Sequence, residues 1–340
     1  MKLLYLSCHS ILEHDEIKLF NELEIDVFSY GTYRNPKEID DKKRPILDLP
    51  FHKELFDLTK DGKHENINQK VIDWADVIVC MHRPDWLLAN WSKFKGKRVI
   101  FRAIGQNIID TENILKPLRR QGLEIVRYSP REQTIPGFAG EDALIRFYKD
   151  PAEFGSWTGE GKFVLNITQD MKQRGGATNF QFWDESTKGF PRILIGKGGE
   201  EIGPEGLGIV DYEVMKQKLR ECGVYFYTGT YPASYVLNFI EALMTGCPIV
   251  ALGEIMGNDT LYPEMRTYEV ADFAKQTSGI LLADDIGSAR GAIQRILEGG
   301  AEVEQMSVDN RALAIKLFGK EEIKAQWGVF LKDSHKNSDN

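Results

Sequence analysis

The chain has 340 residues, enough for two domains that each bury a core. Its 42% hydrophobic and 28% charged residues describe an ordinary globular protein, with no run approaching the roughly 18 uninterrupted apolar residues of a membrane-spanning helix. Acidic residues outnumber Lys and Arg 51 to 43, and the net charge of −8 argues against a polyanion, hence against nucleic acid, as the main partner.

The opening MKLLYLSCHSILEHDE turns acidic too early for a secretory signal, so it reads as a first buried strand and the expected location is cytoplasmic. Further strands are expected at IDVFSY, ADVIVCMH, KRVIFRAI and LEIVRYS, with helical patterns at EIKLFNEL and DWLLANWSKF. Residues 31–69 are charged and weakly periodic, which suits loops and short helices. Pro, Gly, Ser and acidic residues then cluster between Tyr148 and Phe163, as in a surface linker. A second series follows: strands at FVLNIT, RILIGKG, VYFYTG, PIVALG and GILLA, helical patterns at VMKQKLREC, SYVLNFIEALMTG and IGSARGAIQRILEG. The chain closes on a long helical pattern over 309–333 and a polar tail, SHKNSDN, expected to fray. Alternating strands and helices predict α/β architecture with parallel sheets. The expectation is two Rossmann-like domains facing across a cleft: 1–150, a linker at 151–162, 163–315, and a last helix at 316–332 crossing back.

Ligands of such sheets sit beyond the carboxyl ends of the strands. The stretch TGTYPASYVLNFIEALMTGCPIVAL places a turn and a helix there. Ser234 is the expected N-cap of a helix over Tyr235–Thr245, which Gly246 and Pro248 end. Val236, Phe239, Ile240 and Leu243 share its buried face, leaving Asn238, Glu241, Ala242 and Thr245 opposite. Glu241 then reads either as a solvated carboxylate or as an acceptor of two ribose hydroxyls. The second reading goes with an anion bound at the helix start.

YPASYVLNFIEALMTGCPIVALG resembles the donor-binding segment of the retaining family-4 glycosyltransferases, which have the two-domain GT-B architecture. In that family two Glu are separated by seven residues. The second matches Glu241 and is implied to hold the ribose of a nucleotide-sugar; the first, which contacts the transferred sugar, falls on Ala233. FVLNITQDMKQRGG occupies the place of the family's diphosphate loop, with Thr168 about where an Arg is usual. Lys172 and Arg174 are then the candidate cations for the leaving diphosphate, although the same residues also read as solvated loop cations. The resemblance implies donor contacts from Ser234, Tyr235, Val236, Leu237, Thr168 and Gly229. It covers about residues 160–332 by motif and 1–150 only by fold.

In the first half, strand exits offer His9 and His14, then His82, Arg83 and Asp85, then Arg102, Gly105 and Gln106. His9, His82 and Gln106 are assigned to the acceptor or sugar side, and Arg102 joins Lys172 and Arg174 as a catalytic candidate. No metal is expected. Asp40-Asp41 and Asp284-Asp285 are adjacent pairs, not Asp-x-Asp, and Cys8, Cys80, Cys222 and Cys247 show no metal spacing and suit a reducing compartment. The expected function is transfer of a sugar from a nucleotide-diphosphate sugar to an unidentified glycan, lipid or small-molecule acceptor, with retention and with no cofactor beyond the donor. The alternatives are a nucleotide-sugar-binding protein impaired in catalysis and transfer to a nucleic-acid base. Oligomeric state is not legible.

Overall fold

The computed structural model describes residues 1–37, 39, 44–258, 262 and 264–333. Asp40, Asp41 and the tail from Ser334 lie outside the described residues. The chain divides into two compact units, Met1–Tyr148 with the chain from Glu321, and Lys149–Lys320.

In the first unit, β1 (Lys2–Leu6), β2 (Asp26–Tyr30), β3 (Val77–Met81), β4 (Arg98–Arg102), β5 (Glu124–Arg127) and β6 (Ala143–Leu144) form one sheet in the order 2-1-3-4-5-6. Every pairing is parallel. Its strands are apolar runs because a parallel sheet is covered on both faces; Leu3, Leu4, Ile78, Val79, Ile100 and Phe101 are all buried. The strand order reverses between β1 and β3. The helix Lys320–Asp333 packs in this unit, Trp327 meeting Phe20 edge to face and Arg98 donating to the carbonyls of Phe330 and Leu331.

The second unit repeats the plan with β7 (Val164–Ile167), β8 (Arg192–Ile195), β9 (Gly206–Gly208), β10 (Val224–Tyr227), β11 (Ile249–Leu252) and β12 (Ile280–Ala283), ordered 12-11-10-7-8-9 and parallel throughout. Val164, Leu194, Val224, Phe226 and Val250 pack with Trp183, Ile293 and Met306 into one core. Here the order reverses between β7 and β10. Residues 151–162 are packed onto this unit instead of forming a free linker: the Trp157 indole donates to the Cys222 carbonyl at 2.6 Å, and its backbone amide donates to Thr245 at 3.0 Å.

The closing helical pattern is two helices, Ala301–Phe318 and Lys320–Asp333, broken at Gly319. The short strands β6 and β9 escape pattern reading, since two or three residues cannot show a period.

The helix of the TYPASYVLNFIEALMTGCPIV stretch spans Leu237–Thr245, with Val236 as N-cap and Gly246 as C-cap. Gly246 lies at φ 85°, and a Cβ there would stand 2.9 Å from the Ser307 carbonyl. Gly246→Ala therefore combines a left-handed backbone with a backbone clash, and should cost about 1–3 kcal/mol in a denaturant titration.

Candidate functional site

The reversal between β7 and β10 leaves a crevice at the carboxyl ends of those strands, the place where sheets of this kind hold ligands. Side-chain amides fix its walls. Asn166, buried in β7, donates to the Phe226 carbonyl of β10 at 2.7 Å and accepts from Thr168 Oγ1 at 2.7 Å. Asn179 donates to the Thr228 carbonyl at 2.9 Å, while the Tyr231 amide donates to Ala177 at 2.9 Å. The loop after β7 is thus stapled to the loop after β10. Asn238, in the first turn of the helix Leu237–Thr245, donates to the Ile167 carbonyl and fixes the helix start at the same edge.

Lys172 and Arg174 follow β7, and Lys197 follows the neighbouring β8. Lys172 is exposed, its ammonium reaching the Glu201 carbonyl at 3.2 Å. Lys197 lies 3.5 Å from Asp170. Arg174 is half-buried, and its guanidinium has no partner among the described residues. Gly175 and Gly176 follow directly, and a Cβ at either would meet nothing within 4 Å, so the loop faces open space. Beside it lies a cavity of about 460 Å³, lined by Gly175, Gly176, Asn179, Phe180, Phe182 and Ile286. The N-cap Val236 makes no side-chain cap, so the first-turn amides are left to other acceptors. Arginine, lysines and an uncapped helix start are groups that attract an anion.

The structure thus gathers Lys172, Arg174, Thr168, Gly229, Val236 and Leu237 at one sheet edge. It corrects the other assignments in this unit. Ser234 is not the N-cap: it is 1% exposed, in the chain segment before the helix, with its carbonyl accepting from Glu269. Tyr235 is a core residue, packed edge to face on Phe273 and Phe318. Glu241 is not on a solvated face. It is 2% exposed and ion-paired at 2.9 Å with Lys149, which is itself buried. The helix Leu237–Thr245 is apolar on nearly every side because the helices Tyr212–Glu221 and Ala301–Phe318 cover it as well as the sheet. Its one carboxylate is neutralised by a lysine 92 residues earlier in sequence, a partner no local pattern announces.

In the first unit Arg102 is a core residue. It is fully buried, pairs with Glu16 at 2.8 Å, donates to the Ile145 carbonyl at 2.6 Å and stacks over Phe147 and Trp327. His9 caps the helix Ser10–Glu22, Nδ1 accepting from the Leu12 amide at 3.3 Å. His82 and Gln106 stand on the neighbouring exits of β3 and β4, both in the left-handed region at φ 56° and 61°. Side chains other than glycine accept that conformation only at a cost, and such residues cluster at working sites. His82 Nδ1 lies 3.2 Å from Asn107 Oδ1, and burial lowers its pKa below the usual histidine range.

Behind it sits buried Glu132, bonded to Asn107 and to the amides of Tyr128 and Ser129; burial pushes its carboxyl up to about 7, opposed by nearby Arg127. Asn107 and Glu132 were not among the sequence candidates. The signal for Glu132 was present, since Ser129-Pro130-Arg131-Glu132 spells a capping box and forms one. Nothing in the sequence marks Asn107.

No protein-family model matches the sequence, and a search of curated proteins finds no relative. Solved structures do match over nearly the whole chain. Sucrose-phosphate synthase from Thermosynechococcus elongatus superposes with a TM-score of 0.68 at 16% identity, over 97% of this chain and 98% of that one. A glycosyltransferase from Rickettsia africae gives 0.63 at 12% identity, over 98% and 99%. Anabaena HepE, in complex with UDP and glucose, gives 0.62 at 13% identity, over 98% and 100%. The chain therefore has the two-domain GT-B fold of these glycosyltransferases. Among the described residues no group of three or more His, Cys, Asp or Glu could hold a metal ion, and no helix is long and apolar enough to cross a membrane.

Proposed function

We propose that the chain is a glycosyltransferase whose second unit binds a nucleotide-diphosphate sugar at the β7–β10 reversal. The observation that carries this reading is the half-buried Arg174, unpartnered among the described residues, with Lys172 and an uncapped helix start at the same end of the sheet, on a fold that HepE uses with UDP-glucose. In the reaction the bond from the sugar's anomeric carbon to the diphosphate breaks, its electron pair leaving on the phosphate oxygen. Lys172, Arg174 and the first-turn amides of Leu237 and Asn238 neutralise that charge as it develops. An acceptor hydroxyl forms the new bond to the same carbon, and its proton passes to the departing phosphate. That course retains anomeric configuration and calls for neither a metal ion nor a cofactor. The acceptor is a hydroxyl compound of the glycan, lipid or small-molecule classes, bound through the first unit.

A second reading, nucleotide-sugar binding without turnover, draws on Ala233 standing where a sugar-contacting Glu is usual and on the Lys149 ion pair that occupies Glu241. Incubation with a panel of nucleotide-diphosphate sugars separates the two. Release of the free nucleoside diphosphate, however slow, supports the transferase. A raised melting temperature with no release from any sugar in the panel supports the binding protein.

A further inference from the structure

At the amino ends of β4 and β5, a strand length or roughly 16 Å from the strand exits, the first unit holds a cavity of about 410 Å³. Two chain segments bound it. One runs from Trp91 to Lys97, from a short helix into β4; the other is the turn at Gln121 and Gly122 that leads into β5. Gly96 and Gly122 lie at φ 80° and 99°, and a Cβ at either would meet nothing within 4 Å. The two turns leave this space open instead of filling it.

Trp91 stands half-buried in the wall of the cavity. Its Nε1 donates to Gln121 Oε1 at 2.9 Å, and Gln121 Nε2 donates in turn to the Pro117 carbonyl at 3.2 Å. An indole N–H lies in the ring plane, so this bond fixes the ring and leaves its faces out of the bonding. The other five tryptophans use theirs. Trp74, Trp86, Trp183 and Trp327 each meet a neighbouring aromatic ring, and Trp157 packs against the core of the second unit. Among the described residues no aromatic ring or cation lies on Trp91.

The polar groups beside the indole are of mixed kind. Lys95 is exposed, and neither its ammonium nor the Ser92 hydroxyl has a partner among the described residues. Gln121 keeps a second N–H and a second lone pair. Lys97 is committed elsewhere, donating to the carbonyls of Asp73 at 3.1 Å and Ala75 at 2.7 Å. Lys93 likewise donates to the Ile67 carbonyl at 2.9 Å. Phosphates and anionic surfaces call for several converging cations, and Lys95 alone among the described lining residues is uncommitted. A fixed indole with separate donors and acceptors at its rim suits a pyranose instead. Such a ring presents C–H bonds on one face and, around its edge, hydroxyls that both donate and accept. Among the described residues no carboxylate or histidine lines the cavity, so a saccharide held there is bound and not cleaved.

We propose that this cavity is a saccharide-binding site, with a pyranose ring on the Trp91 indole and its hydroxyls bonded to Lys95, Ser92 and Gln121. The site holds a glycan at the end of the first sheet opposite the strand exits and takes no part in chemistry. It stands apart from the glycosyl-transfer reading, since recognition here needs neither a nucleotide nor the second unit.

The test uses the full chain labelled with fluorotryptophan, in which each of the six tryptophans gives a fluorine resonance. The Trp91 signal is assigned by its loss in Trp91→Phe. Maltohexaose, cellohexaose and chitohexaose are then titrated in turn. Expected is a saturable shift of the Trp91 signal with at least one of them, while the other signals stay in place. Lys95→Ala should weaken that binding about fivefold, the scale of one hydrogen bond, and Trp91→Ala about tenfold or more, as for a tryptophan anchor. No shift of the Trp91 signal with any of the three, or unchanged affinity in both variants, overturns the proposal. So does a Trp91 shift caused by uridine monophosphate or by phosphatidylglycerol vesicles but by no saccharide. Should Trp91→Ala fail to fold, the wild-type spectrum and Lys95→Ala still decide it.

Discussion

Glu241→Ala is expected to lower the unfolding free energy by about 3–5 kcal/mol, the cost of leaving one member of a buried ion pair without its partner. Lys149 and Glu241 are 2.9 Å apart and 3% and 2% exposed, so neither charge has water to turn to. Lys149 is also tied through its backbone, donating to the Phe318 carbonyl at 2.8 Å in a bridge with Gly319. Lys149→Met should cost a similar amount. The double variant Lys149→Met/Glu241→Leu should recover most of the loss, because apolar groups of similar volume avoid the desolvation cost altogether. Urea titrations of the four proteins measure the coupling directly. A single-variant loss below about 0.5 kcal/mol would match an exposed carboxylate and would return Glu241 to the surface.

The second large effect is functional. Lys172→Ala/Arg174→Ala should reduce turnover of a nucleotide-diphosphate sugar by about 10²–10³, the scale of removing groups that stabilise charge developing in a transition state. Stability should change by no more than about 0.5 kcal/mol, since Lys172 is exposed and the Arg174 guanidinium bonds to nothing among the described residues. Loss of activity together with a large fall in melting temperature would make these loop cations structural. Unchanged activity in a stable double variant would move the diphosphate elsewhere. The contrast with Glu241 is the useful part: one variant should unfold easily, the other should fold and fail to turn over.

Much of the architecture was legible because parallel strands buried on both faces announce themselves as short apolar runs. Among the described residues, ten of the twelve strands lie inside segments read from pattern alone, and Ala143–Leu144 and Gly206–Gly208 are too short to show. Helix ends were less legible. The sequence pattern starts this helix too early because Ser234 has the right chemistry for a cap, whereas in the structure Ser234 is buried before Leu237–Thr245 begins. The candidate site is legible where it depends on chain-local features: a strand exit, two cations and two glycines in MKQRGG. It was not legible where it depends on what lies opposite. Arg102 and Glu241 look alike in sequence, charged residues at a strand end and in a helix, and both proved to be partnered by distant residues, Glu16 and Lys149. Asn107 was missed for the same reason. An amide in a loop carries no signal until a carboxylate 25 residues on is seen to orient it.

In the proposed function the second unit holds a nucleoside diphosphate at the β7–β10 reversal through Lys172, Arg174 and the start of the helix Leu237–Thr245. Calorimetric titration of UDP into the wild type and into Lys172→Ala/Arg174→Ala tests it most directly. Expected is saturable one-site binding that the double variant weakens about tenfold or more, a difference of about 1.4 kcal/mol or greater. Equal affinity in the two folded proteins, or no binding of any nucleoside diphosphate to the wild type, would contradict it.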